Sequence, residues 1–141
     1  MTDTPRHSVS VAGIVVNNVG KVLVIQRRDN GRWEPPGGVL ELTETFEEGV
    51  KREVLEETGI SVQVERLTGV YKNMPRGIVA LVYRCTPLDG TSRTTDEATE
   101  VRWMTVNEVC AAMPPAYATR VTDAFENAIH TRAHDGVNLL D

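Results

Sequence analysis

The stretch GVLELTETFEEGVKREVLEETGI, running from Gly38 to Ile60, decides how the rest of the chain is read. Thr45 can cap a helix with its hydroxyl, and Glu48, three residues on, can reach back to the amide of the cap. Gly59 supplies the residue that takes the left-handed conformation at a helix C-terminus. Between these signals the spacing predicts a helix from about Phe46 to about Thr58, within a residue or two at each end. Gly49 in its middle costs about 1 kcal/mol against alanine, which points to a close approach of neighbouring backbone there.

At about 100° per residue, Phe46, Val50 and Val54 form a narrow apolar stripe. Glu53 and Glu57 project on nearly the same bearing, with Glu56 to one side, so the face that starts apolar ends in carboxylates. These three glutamates lie within one turn of each other, where like charges repel by a few tenths of a kcal/mol per pair. They also sit at the negative end of the helix dipole. Fold stability asks for none of this. A hard divalent cation does, because it prefers clustered carboxylate oxygens.

The spacing carries a resemblance. Gly38, five residues, Glu44, seven residues, Arg52-Glu53-Val54, one residue, Glu56-Glu57, one residue and Gly59-Ile60 match the signature of the Nudix hydrolases at each fixed position. Trp33-Glu34-Pro35-Pro36-Gly37 resembles the family's usual lead-in. The resemblance implies an α/β fold, a Nudix-type α/β/α sandwich with a mixed β-sheet. It also implies magnesium-dependent hydrolysis, with manganese as a substitute, of a nucleoside diphosphate linked to another moiety. By the same resemblance Glu57 and Glu53 or Glu56 bind metal, the carbonyl of Gly37 or Gly38 is a further ligand, and nearby glutamates deprotonate the attacking water. Arg52 is expected to steer the glutamates by ion pairing, with Glu44 supporting that network. Some members take the base from a distant loop, for which Asp96, Glu97 and Glu100 are the candidates here, and Glu97 and Glu100 are expected to reach the metal as ligands. In the family an arginine at the end of the second strand often meets substrate phosphates. Side chains alternate along a strand, so only one of Arg27 and Arg28 can face the site, and Arg28 is the expectation. Trp33 is either a core anchor or a wall of the substrate pocket.

The chemistry suits such a site. A pyrophosphate link carries crowded negative charge, and metal ions between carboxylates and phosphate oxygens neutralise it and lower the pKa of a bound water. Magnesium keeps waters and accepts a few carboxylates alongside substrate oxygens.

The chain has 141 residues, enough for one domain with a real core, and a single domain over 1–141 is expected, with residues 133–141 a frayed tail. Hydrophobic content of 40% and charged content of 25% are those of a soluble globular protein. A net charge of −5 leaves no basic footprint for nucleic-acid polymers. Cys85 and Cys110 are too few for a disulfide framework and are expected to be buried thiols. No apolar run approaches the roughly 20 residues of a membrane span, and the N-terminal MTDTPRHSV lacks a signal peptide's layout. The expected setting is cytoplasmic, and family members are often homodimers.

Along the chain, residues 8–16 read as a strand buried on both faces. Residues 21–28 read as a second strand joined to it as a hairpin, and 39–41 as a short third. Ser61–Tyr71 and Ile78–Cys85 are expected to pair, Thr86–Thr99 to form an exposed loop, and Glu100–Met104 a short strand. Val106–Met113 is a short helix ended by Pro114-Pro115. Tyr117, Val121, Ala124, Phe125, Ala128 and Ile129 recur at helical spacing, predicting a terminal helix of roughly 15 residues. His7, His130 and His134 have no ligand spacing and are read as surface or core residues.

Compact length favours a nucleoside triphosphate, oxidised or otherwise modified ones included, over nucleotide sugars or ADP-ribose. Lys72, Arg76 and Arg93 for phosphates, and Tyr71, Met74 or Tyr117 for a base, have no motif behind them. Ordinary surface or core roles are the expectation for each. The reading from another class is a nucleotide-binding sensor without turnover. Loss of Glu53, Glu56 or Glu57 would favour it, and all three are present.

Overall fold

Alternation along one strand builds both cores. In β1 (Ser8–Val15), Val11 and Val15 face one side while Ala12 and Ile14 face the other, all buried. This is the doubly buried strand expected from the sequence. The computed structural model describes residues 3–141. Met1 and Thr2, which open the stretch read for a targeting signal, lie outside them.

After β1 come β2 (Val22–Arg27), β3 (Trp33–Glu34), β4 (Gly37–Val39) and α1 (Phe46–Thr58). Next are β5 (Ile60–Asn73), β6 (Ile78–Gly90), β7 (Ala98–Met104), α2 (Val106–Ala112) and α3 (Pro115–Asp123). The chain closes with β8 (His130–His134) and β9 (Leu139–Leu140). A mixed six-stranded sheet has the order β4-β1-β6-β5-β8-β9, and β3-β2-β7 form a second, antiparallel sheet. β1 runs parallel to β6, and β5 parallel to β8. Val50 and Val54 of α1 pack with Val11, Val15 and Cys85 on one side. Val109 and Met113 of α2 and Val121 of α3 pack with Ile14, Tyr71 and Val82 on the other. The result is the layered α/β/α arrangement. Among the described residues no helix is long and apolar enough to cross a membrane.

Five expectations are corrected. Among the described residues β1 and β2 are joined by the isolated Val16–Val22 bridge and then part into different sheets, because β4 and β6 take both edges of β1. The expected loop at 86–99 is shorter, since β6 continues to Gly90 in register with Ile60 of β5. The terminal helix stops at Asp123: the carbonyl of Ala124 accepts from Arg66 and Arg84, and residues 130–134 pair with the open edge of β5. Residues 133–141 are accordingly no frayed tail, for β8 and β9 pair there and His134 is fully buried. Cys85 is buried as expected, but Cys110 is exposed on α2.

Candidate active site

The capping box forms as the sequence predicts. The amide of Glu48 donates to the Thr45 hydroxyl and the amide of Thr45 to the Glu48 carboxylate, while Gly59 at φ +79° closes the helix. Val50, Val54 and Glu57 are all buried on the face toward the sheet, whereas Phe46 is exposed and leaves the stripe. A Cβ on Gly49 would lie 2.6 Å from Leu40 and 3.2 Å from Glu44 and Val11, so side chains and not backbone require the glycine.

Glu57 is 5% exposed, and its Oε1 accepts a 2.7 Å hydrogen bond from the amide of Gly37. Burial pushes its carboxyl up to about 8 against the pull of that amide, and the charges of Glu53, Glu34 and Glu97 push it further up. Burial also raises the Glu53 carboxyl, opposed by its hydrogen bond from Arg52. Four carboxylates, Glu57, Glu53, Glu34 and Glu97, thus act on one another beside the glycines of β4, an arrangement that a bound cation would stabilise.

Arg52 organises this crowd. Its Nε and Nη2 donate to the two oxygens of Glu44 at 2.6 and 2.7 Å, and Nη1 donates to Glu53 at 2.8 Å and to Glu56 at 3.3 Å. The Arg52 hydrogen bonds hold the Glu44 carboxyl down, to about 2. Glu56 stays exposed. Among the described residues the trio of ligand atoms within 4.8 Å of one another is Asp123, Glu126 and His130, at the end of α3 and away from these glutamates. Asp123 is already engaged there by Tyr71 and Arg132. Arg52 draws the Glu53 and Glu56 carboxylates of α1 to one nitrogen, Nη1.

Gly37 and Gly38 lie in β4, opposite Ala12 and Val11 of β1. A Cβ on Gly37 would collide with the carbonyl of Val11 and lie 2.8 Å from Cα of Ala12. Gly37→Ala is expected to lose about 1–3 kcal/mol by overpacking, a drop on the order of 5 °C in a thermal melt, and to lose activity with it. A Cβ on Gly38 would meet the Glu53 carboxylate at 2.7 Å.

Beside the glycines opens a cleft of about 580 Å³, lined among others by Arg27, Arg32, Glu34, Arg76, Tyr117, Arg120 and His134. Arg27, not Arg28, reaches it, and Arg27 is paired with Asp29 and Glu34. Arg28 turns away and donates from Nε to the Asp96 carbonyl and from Nη2 to the Thr95 carbonyl. It straps the 95–97 loop and so helps place Glu97, whose charge acts on Glu53 and Glu57. Glu100 instead accepts from Arg102 at 2.8 Å, and Arg102 covers the Trp33 ring. Trp33 packs on the core, the anchor role of the two open to it. Of the motif-less candidates, Arg76 and Tyr117 line the cleft, while Tyr71 is core. Sequence reasoning missed Arg120 and His134. The signal for Arg120 was its place between Tyr117 and Ala124 on the apolar face of α3.

The comparisons place the chain in a family. A family profile described as the NUDIX domain matches residues 6–125. The chain belongs to the Nudix family. This Nudix chain is 59% identical over 140 residues to a MutT-like protein of Streptomyces ambofaciens, spanning 99% of the chain and 91% of that protein. It is 36% identical over 109 residues to an ADP-ribose pyrophosphatase of Methanocaldococcus jannaschii, 72% of the chain and 64% of that protein. The fold matches the crystal structure of a NUDIX hydrolase from Nitrosomonas europaea with a TM-score of 0.80 at 23% identity, covering 94% of the chain and 82% of the other. The chain is a Nudix pyrophosphohydrolase, an enzyme acting on phosphorus-containing anhydrides.

Proposed function

We propose that the enzyme hydrolyses a nucleoside triphosphate, oxidised or otherwise modified ones included, to the monophosphate and pyrophosphate with magnesium. The observation that carries this reading is the crowd of Glu53, Glu57, Glu34 and Glu97 beside the glycines of β4, opening on an arginine-lined cleft. Glu53, Glu56 and Glu57 with a carbonyl of Gly37 or Gly38 would hold the metal, with Glu97 added from the loop. Bound there, magnesium supplies charge neutralisation and an acidified water. Glu57, fixed through Oε1 by the Gly37 amide, would keep its other oxygen for a cation. Arg52 orients Glu53, and Glu53 or Glu56 takes the proton of the attacking water. Arg27, Arg32 and Arg76 face the substrate's phosphates from the cleft.

The competing substrate is ADP-ribose, named for the Methanocaldococcus relative. A phosphate-release assay with coupled phosphatases tests both, across triphosphates, oxidised triphosphates, nucleotide sugars and ADP-ribose, with and without magnesium. Magnesium-dependent release from triphosphates is expected. Release from ADP-ribose alone would overturn the proposal.

A further inference from the structure

Among the described residues Arg120 forms no salt bridge. It is 8% exposed on α3 and lines the cleft, with its guanidinium 4.6 Å from the Tyr117 ring and 5.1 Å from the Tyr71 ring. Among the described residues its Nε is shut off from water with no hydrogen-bond partner. Its polar contact is from Nη2 to Nε2 of His134 at 3.3 Å. The neighbouring carboxylates are committed elsewhere. Asp123 accepts from Tyr71 and Arg132, Asp135 from the amides of Val137 and Asn138, and Glu34 from Arg27.

The His134 contact does not satisfy Arg120 either. The amide of Gly136 donates to Nδ1 of His134 at 2.9 Å, which leaves the proton of the neutral ring on Nε2. Burial and the Arg120 charge hold the ring below its ordinary value, so it is neutral. Two donors then face each other at 3.3 Å, and the buried His134 offers Arg120 no acceptor. A buried charge and buried donors without partners are expensive, and the partner that would relieve them is an acceptor brought by a ligand.

We propose that Arg120, seated against Tyr117, Tyr71 and His134, specifies the substrate by taking an oxygen acceptor on the group joined to the diphosphate. That acceptor is the carbonyl of an oxo-purine or oxo-pyrimidine base, or an oxygen of a further phosphate. A guanidinium fork suits either, matching the adjacent carbonyl and ring nitrogen of guanine or two phosphate oxygens. The proposal rests on the cleft being the nucleotide site.

The test is calorimetric binding, which needs no turnover. Wild type and Arg120→Met are titrated with GMP, IMP and AMP in magnesium, and with a methylene-bridged GTP analogue. Arg120→Met is expected to weaken binding about tenfold or more. With a base carbonyl as acceptor, wild type prefers GMP and IMP to AMP and the variant loses that preference. With a phosphate as acceptor, the variant loses affinity for the bridged analogue while the monophosphates are indifferent to base. Because the substitution removes an uncompensated buried charge, the ligand-free melting temperature is expected to hold or rise. If Arg120→Met does not melt cooperatively, Arg120→Lys is read in its place. It keeps the charge, drops the fork, and is expected to show the same loss. Binding of every ligand within twofold of wild type overturns the proposal and makes Arg120 a structural cation. A wild type that binds but hydrolyses nothing overturns the proposed activity and leaves this role of Arg120 standing.

Discussion

Glu57→Gln is expected to reduce turnover on the order of 10³-fold while the protein stays folded. The glutamine keeps the shape and can still accept from the Gly37 amide, so the 2.7 Å contact that seats the side chain survives. What it loses is the negative charge, and metal-borne charge stabilisation is worth several kcal/mol, each 1.36 kcal/mol being tenfold in rate. A variant retaining a tenth or more of wild-type turnover at saturating magnesium would refute Glu57 as a ligand.

The same substitution should leave a signature in metal-free stability. Glu57 has a folded-state value of about 8 against an ordinary 4.5, so the native protein holds a proton that the unfolded chain releases. Stability therefore falls as pH rises through that window, by up to about 1.4 kcal/mol per pH unit. The Glu53 carboxyl is shifted in the same sense, whereas His134, held down, gains stability as pH rises and opposes it. Comparison with Glu57→Gln isolates the glutamate. In metal-free melts the variant's advantage should grow steadily from pH 5 to pH 8, and added magnesium should reverse it. An advantage independent of pH would show that Glu57 does not titrate in this range.

Arg52→Lys is expected to cost 10- to 100-fold in activity or metal affinity, as losses of groups that orient metal ligands do. Arg52 spans three glutamates with one planar fork, and a lysine ammonium cannot grip both oxygens of Glu44 while reaching Glu53. The magnesium concentration for half-maximal activity should rise. Glu44→Gln should produce a similar loss, and the double variant should lose little more than either single, because the two act as one unit. Additive losses would separate Glu44 from the Arg52 network.

α1 was legible because its signals are local. A capping hydroxyl, a glycine at the C-terminus and the 3.6-residue period are written within the helix itself, and they placed Glu53 and Glu57 on the sheet-facing side correctly. The alternation that made β1 doubly buried is equally local. Phe46 shows the limit, since its bearing fits the stripe but its side chain is exposed.

What the sequence by itself determined was therefore the acidic helix, the pairing of β5 with β6 and the family. The tertiary structure alone decided which of two adjacent arginines meets the cleft, because the pairing of β2 with β3 and β7 orients that strand end and sends Arg28 to the 95–97 loop. It also decided that residues 130–134 form a strand. His-Thr-Arg-Ala-His has little strand propensity of its own, and the open edge of β5 supplies the hydrogen bonds that hold it. That pairing buries His134 beside Arg120 and completes the far end of the cleft from segments the chain keeps apart. Local hydrogen bonding and side-chain period can be read from neighbours in sequence; partners across a sheet edge exist only once the sheet has formed.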